Sequence, residues 1–480
     1  MTMMAMVSRR ALLGAASAGT FSLVMGGTAV GGTLGKAATR PLPGWFDEVK
    51  LGIFVHWNAS AIPAFAPVHL LRDLAMPGAP DVPLRLQQQM WRTLPYAEMY
   101  QNTMAVPGSE TSRYHAEHHG SMPYDGFVEQ FRDQMVPGWD PRPWAELFQQ
   151  AGAGYVVLTT KTEDGFLLWP SEHTNPNKRG WQSSRDVVGE LADAVRARGL
   201  RFGAYYSEGM DWTFGGLPIT DNTKLIEALP QGERYARYTD AHWRELISRY
   251  RPSVLWNDYG FLPNPDAEAL FEAYYAAVPD GLVNDRFDMG KPLPADFVTL
   301  EYAETTGPAD RKWEACRGIG TSFGYNRMES DGSYLSETEL VHLFVDIVAH
   351  GGNLLLNVGP TGTGQIPPQQ RQRLLALGRW LRANGEAIYR TRPWERAKGI
   401  TSMGRQIRYT SSQNTVNAIV LDSPGPAVDI DLTPARHATI TLAGGKDRLR
   451  WEPTLHGARV HLPRDAGRQP AYALRVRDAR

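Results

Sequence analysis

The sequence predicts an α/β fold, an irregular (β/α)8-like barrel catalytic domain with a C-terminal all-β sandwich domain, on three observations. From Trp45 onward, short apolar runs alternate with amphipathic stretches, the pattern of repeated βα units. The C-terminal ends of those runs carry polar residues in succession: His56, then 161–164, Tyr205 and Tyr206, Asp258, Arg286, Glu301, Asn326 and Asn357. Past Pro393 the helical period gives way to short alternating runs broken by Gly, Pro, Asp and Asn. At 480 residues the chain is also too long for one ordinary core, so two domains are expected.

Taken in order, Ser8-Arg9-Arg10-Ala11-Leu12-Leu13-Gly14 opens a weakly apolar stretch running to about Gly35. It resembles a twin-arginine export signal, too Gly-rich to make a good membrane span. Residues 1–39 are therefore set apart as an address. The protein is expected in the periplasm, at the cell surface or outside the cell, with no membrane span. The barrel is expected over 40–390, with strands at 51–57, 155–160, 201–207, 253–258, 281–285, 297–302, 320–325 and 353–358. Helical patterns lie between them at 143–152, 185–199, 232–250, 266–278 and 336–349, and 367–389 follows the last strand. The strand-poor segment 63–138, rich in Met, Pro and Tyr, interrupts the first unit and is expected to wall the site. A short Pro-rich link after the fifth strand makes the barrel irregular. The sandwich, over 393–480, is expected from runs at 406–409, 416–421, 427–432, 438–442, 457–462 and 472–476, as a buttress to the barrel.

Composition excludes several classes of function. Fifty basic residues balance 51 acidic ones, which leaves no excess for a polyphosphate, so no nucleic-acid partner is expected. A single cysteine, Cys316, rules out an internal disulfide framework and multi-Cys metal sites, and reads as a packed thiol. His115, His118 and His119 sit in a turn-like context with no paired acid and read as solvated surface, not zinc ligands. No metal and no organic cofactor are expected. Fourteen Trp suit stacking on sugar rings, although a large core would use many of them too.

The chemistry is expected at Asp258 and Glu301, each ending a short apolar, β-branched run with a helix-length segment between. Acids at the ends of neighbouring barrel strands converge on one mouth, where a pair can serve as nucleophile and acid/base on a glycosidic bond. Capping the following loop is the competing explanation for either acid alone. It explains less well why His, Tyr, Asp, Arg and Glu follow one another at successive strand ends.

The motifs themselves carry a resemblance. Trp45 to Trp57, reading WFDEVKLGIFVHW, is similar to the first-strand motif of α-L-fucosidases, the retaining glycoside hydrolases of family 29. YVVLTTK from Tyr155, DGFLLWP from Asp164, RDVVGEL from Arg185, FGAYYS from Phe202, LWND from Leu255, NDR from Asn284, RGIGTSFGYN from Arg317 and GGNLLLNVGP from Gly351 follow in the same order. The resemblance implies Asp258 as nucleophile and Glu301 as general acid/base. It implies sugar contacts at His56, Glu98 with Met99, Thr162 with Glu163, and Tyr205, with Trp256 stacking on the sugar and Arg286 keeping Asp258 charged. Two positions depart: Thr162-Glu163 stands where the family has tandem histidine, and Met99 where it has tryptophan. The partner implied is a fucosylated glycan or a related glycoside; an L-galactoside or pentoside, or a carbohydrate-binding pseudo-enzyme, are the alternatives. A homo-oligomer is left open.

Overall fold

The computed structural model describes residues 40–68, 82–260, 267–287, 293–302, 307, 311–422, 425–463 and 467–479. The export-signal reading of 1–39 lies outside them. Eight parallel strands form one sheet: β1 Leu51–Val55, β2 Tyr155–Lys161, β3 Arg201–Ser207, β4 Val254–Asp258, β5 Leu282–Val283, β6 Val298–Glu301, β7 Trp313–Gly318 and β8 Asn353–Val358. Their order, β5-β4-β3-β2-β1-β8-β7-β6, curls so that the two edges meet. The seam is thin. A single bridge joins Asn284 to Phe297, and the Asp296 N–H donates to the Val283 carbonyl at 2.9 Å. A two-residue β5 cannot offer more, which accounts for the irregularity expected on that side.

Alternation along the strands sorts side chains between two cores. Phe54, Tyr155, Val157, Tyr205, Val254, Trp256, Phe297 and Cys316 pack together inside the barrel, with Phe46 of the helix Gly44–Val49. Ile53, Val55, Ala204, Tyr206, Leu255 and Leu300, one residue out of phase, face the surrounding helices. Gly52 has no side chain because a Cβ there would meet the Tyr155 ring at 2.3 Å. The inward rows of β1, β3, β4 and β6 extend to His56, Tyr205, Asp258 and Glu301, so strand periodicity itself delivers these groups to one end of the barrel.

One predicted strand is displaced. Residues 320–325 form a loop, and the seventh strand is Trp313–Gly318. Its inward positions carry Glu314 and Cys316 in place of aliphatic residues, so it shows no apolar run. The segment 63–138 is helical where described, with helices at Leu84–Arg92, Tyr100–Ala105, Glu110–His119 and Tyr124–Gln130. His115 departs from the surface reading: it is buried, with Nδ1 paired to the Tyr100 hydroxyl at 3.0 Å and Nε2 to the Met122 carbonyl at 2.9 Å.

The C-terminal part pairs a five-stranded antiparallel sheet with a three-stranded one. Two of its strands, Arg392–Ile400 and Trp451–Thr454, fall outside the predicted runs because they are largely exposed and show no apolar alternation. In the strand Thr415–Leu421, Ala418 and Val420 face the second sheet while Ile419 and Leu421 join the core that the barrel strands share with their helices. Trp380 Nε1 donates to the Ala471 carbonyl at 2.9 Å and Thr410 Oγ1 to that of Ala387 at 2.7 Å. Arg408 and Asp346 form an ion pair across the same contact. No helix among the described residues is long and apolar enough to cross a membrane.

Candidate active site

Asp258 and Glu301 end β4 and β6 and are joined by one cation. Arg286 Nη1 lies 2.8 Å from Asp258 Oδ1 and its Nη2 3.3 Å from Glu301 Oε2. The guanidinium is itself aimed: Nε donates to Thr299 Oγ1 at 2.9 Å, and the group lies 4.8 Å from the centre of the Trp256 ring. Asp258 also accepts from the Tyr205 hydroxyl at 3.0 Å through Oδ2 and from the Tyr259 N–H at 3.0 Å through Oδ1. Three donors converge on this carboxyl and fix its orientation. Glu301 receives the Tyr96 hydroxyl at 3.4 Å. Burial, reinforced by the Asp258 charge and opposed by Arg286, raises the Glu301 carboxyl above its ordinary value. Two like acids thus stand in unlike environments, Asp258 among three donors and Glu301 in a site that favours its protonated form.

The chain turns sharply after each acid. Tyr259 and Tyr302 have φ of 61° and 50°, a left-handed conformation that bulky residues seldom adopt. Tertiary contacts hold the turns: Tyr302 N–H donates to the Cys316 carbonyl at 3.0 Å, and its hydroxyl to that of Thr321 at 2.5 Å.

A cavity opens above this pair, bordered by His56, Glu98, Met99, Glu163, Tyr205, Trp256 and Arg286, with Trp91, Leu94 and Tyr96 from the 63–138 segment forming one wall. His56 Nδ1 pairs with Asn357 Oδ1 at 2.6 Å, and Asn357 is oriented by donating its amide to the Phe323 carbonyl at 2.7 Å. Nδ1 therefore carries the proton, and burial pushes the imidazole down to about 3, so it stays neutral with Nε2 as an acceptor. Glu98 Oε2 accepts from Gly324 N–H at 2.7 Å and Ser322 Oγ at 3.1 Å, and burial pushes its carboxyl up to about 7. Burial pushes Glu163 up to about 8.

Not every sequence-derived candidate offers this space a free group. Thr162 is outside the described residues that border the cavity; its hydroxyl accepts from Asn58 Nδ2 at 3.0 Å and donates to Asp164 Oδ1 at 3.0 Å. Tyr205 spends its hydroxyl on Asp258. Trp256 is 1% exposed, stacked on Tyr205 at 5.5 Å and against Phe54, so most of its ring fills the barrel. Sequence reasoning missed Tyr96, Tyr259 and Glu314. Glu314 lies beneath the site, where Oε1 accepts Trp256 Nε1 at 3.0 Å and Oε2 the Tyr155 hydroxyl, and burial pushes it up to about 7. Glu314 falls two residues before Cys316 in a stretch without an apolar run, and no signal marks it.

Known proteins resemble the chain over most of its length. A family model described as alpha-L-fucosidase matches residues 31–386. The chain is 32% identical over 451 residues to the tissue alpha-L-fucosidase of Bos taurus, covering 88% of this chain and 85% of that one. It is 32% identical over 460 residues to the alpha-L-fucosidase of Dictyostelium discoideum, covering 90% and 91%. The structure of Thermotoga maritima alpha-fucosidase in complex with fucose superposes with a TM-score of 0.79 at 38% identity, covering 91% of this chain and 97% of that one.

Proposed function

The chain belongs to the α-L-fucosidase family of glycoside hydrolases, and we propose that it releases a terminal sugar with retention of configuration, Asp258 acting as nucleophile and Glu301 as acid/base. The observation that carries the reading is the single Arg286 guanidinium shared by both carboxyls. It keeps both carboxyls beside one cation, and a retaining mechanism calls for two such acids close together, about 5–5.5 Å apart. In the first step Asp258 bonds to the anomeric carbon as the glycosidic C–O bond breaks, and the Glu301 proton goes to the leaving oxygen. Arg286 and Tyr205 hold Asp258 aimed. In the second step Glu301, now ionised, takes a proton from water, whose oxygen displaces Asp258 and frees the sugar. His56 through Nε2, Glu98 and Glu163 hold the hydroxyls, and Trp256, which borders the cavity with a small part of its ring, contributes an apolar edge. L-Fucose is the sugar the family implies.

Replacing Asp258 by Gly tests the assignment. The variant loses turnover of an activated aryl fucoside, and azide restores it, giving a glycosyl azide of inverted configuration. Full activity of the variant without azide would assign the nucleophile elsewhere.

The organisation around the barrel belongs to the same proposal: an address over 1–39, the barrel over 40–390 and the sandwich over 393–480. Paired Arg9 and Arg10 before an Ala/Gly/Leu stretch support export in folded form through the twin-arginine route. A reporter fused to residues 1–39 is expected to leave the cytoplasm only in cells with that route, and Arg9→Lys with Arg10→Lys abolishes export.

A further inference from the structure

Four carboxyl groups border the cavity among the described residues, Glu98, Glu163, Asp258 and Glu301, against one guanidinium, Arg286. Arg286 is engaged by Asp258 and Glu301. Glu98 is tied to Ser322 and Gly324. Glu163 is left with the Tyr259 hydroxyl and its own N–H as donors, and its Oε2 has no hydrogen-bond partner although the residue is only 4% exposed. A carboxyl oxygen withdrawn from water without a partner is costly, and natural folds rarely leave one without a use.

The reaction needs only two of these acids, so Glu163 is free to read the substrate. Its surroundings decide how. Asp258 and Glu98 face it with carboxyls, and Tyr259, Tyr205 and Tyr124 face it with hydroxyls. None of these groups supplies a cation. An ionised Glu163 would thus stand unpaired in a site that already holds a charged Asp258. The neutral acid suits the place better, because it offers one O–H to donate and one C=O to accept. That is the complement of a sugar hydroxyl, which also donates and accepts. His56 supplies a bare acceptor, so the cavity presents both polarities without further charge.

We propose that Glu163 is a specificity-determining residue that hydrogen-bonds a hydroxyl of a neutral sugar as the un-ionised carboxylic acid. The inference rests on the hydrolytic reading of the cavity and names its substrate class, neutral glycosides without an amino or carboxylate group at the position Glu163 meets. Gln mimics a protonated carboxyl in shape and in hydrogen-bonding capacity; Ala removes both.

The test is a panel of aryl α-L-glycosides with one common leaving group, differing from the fucoside by inversion at one hydroxyl, by hydroxymethyl for methyl at C5, or by amino for hydroxyl. For the best neutral glycoside, Glu163→Gln is expected to keep kcat/KM within about 5-fold of the wild type. Glu163→Ala is expected to lower it by about 100-fold and to level the panel, since a site built for a hydroxyl then no longer rejects its absence. Ratios between glycosides do not depend on the amount of folded enzyme, so they stand even if Glu163→Ala folds poorly. Wild-type KM rises above about pH 8, where the acid ionises, and the rise is absent in Glu163→Gln. Glu163→Gln as damaging as Glu163→Ala, or an amino glycoside as the best substrate, would show that the charged form is read and overturn the proposal. Unchanged ratios in Glu163→Ala would also overturn it. The Asp258→Gly variant on the same panel reports separately on the hydrolytic reading.

Discussion

Glu301 stands between a tyrosine hydroxyl and a guanidinium, in a site dry enough to raise its carboxyl. A proton held there matters most when the leaving oxygen is basic. Glu301→Ala is therefore expected to slow a methylumbelliferyl or natural glycoside by on the order of 1,000-fold and a dinitrophenyl glycoside by less than about 10-fold in the first step. Equal losses across the series would move the acid to another residue. Because the folded value is raised, activity falls as pH rises through it, and Glu301→Ala loses that alkaline limb. Asp258 and Glu301 were legible in the sequence because an acid ending an apolar run is conspicuous. Thr162 was misleading for the opposite reason. Its place in the motif is visible, but whether its hydroxyl faces a cavity or a buried Asn58–Asp164 pair depends in part on Asn58, 104 residues earlier in the sequence.

Among the elements, β7 shows where strand reading fails. Apolar runs mark strands whose inward residues are mostly apolar, as in β1 and β4, or whose outward row is, as in β8 with Leu354, Leu356 and Val358, and these fall within the predicted segments. β7 turns Glu314 and Cys316 into the barrel, so its pattern is erased by the residues that make it useful. Glu314 pins Trp256 by its indole N–H; Trp256 in turn supports Tyr205 on its face and Arg286 over its ring, and those two aim Asp258. Glu314→Ala frees this stack and leaves the Tyr155 hydroxyl without its carboxylate acceptor. It is expected to lower kcat by about 10- to 100-fold with a smaller change in KM, the mark of a mis-aimed group that acts in the transition state. Glu314→Gln keeps an acceptor for Trp256 and is expected to recover most of kcat. An unchanged kcat in Glu314→Ala would mean that Trp256 is held by packing alone.

Across the whole molecule, the site and its supports burden the fold with buried acids. Burial pushes Glu98 and Glu314 up to about 7, Glu163 and Glu208 to about 8 and Asp164 to about 6. In the unfolded chain these groups ionise near 4. Between those values the folded state binds more protons than the unfolded one, so stability falls as pH rises. His56 and His242 act the other way, since burial pushes both down to about 3 and they cost stability only below their unfolded value near 6.5. Lys312, pushed down by burial to about 8, restores stability only as pH rises beyond that value. The interval from pH 6.5 to 8 is thus governed by the carboxyls. Each group whose folded value lies near 8 removes on the order of 1–2 kcal/mol across it. The melting temperature is expected to decrease steadily from pH 6.5 to 8, and Glu208→Gln, whose side chain meets Trp243 and Thr239 away from the cavity, makes the decrease shallower. A flat or rising profile would mean that these carboxyls are ionised in the folded protein, and Glu163 would then meet its substrate as an anion.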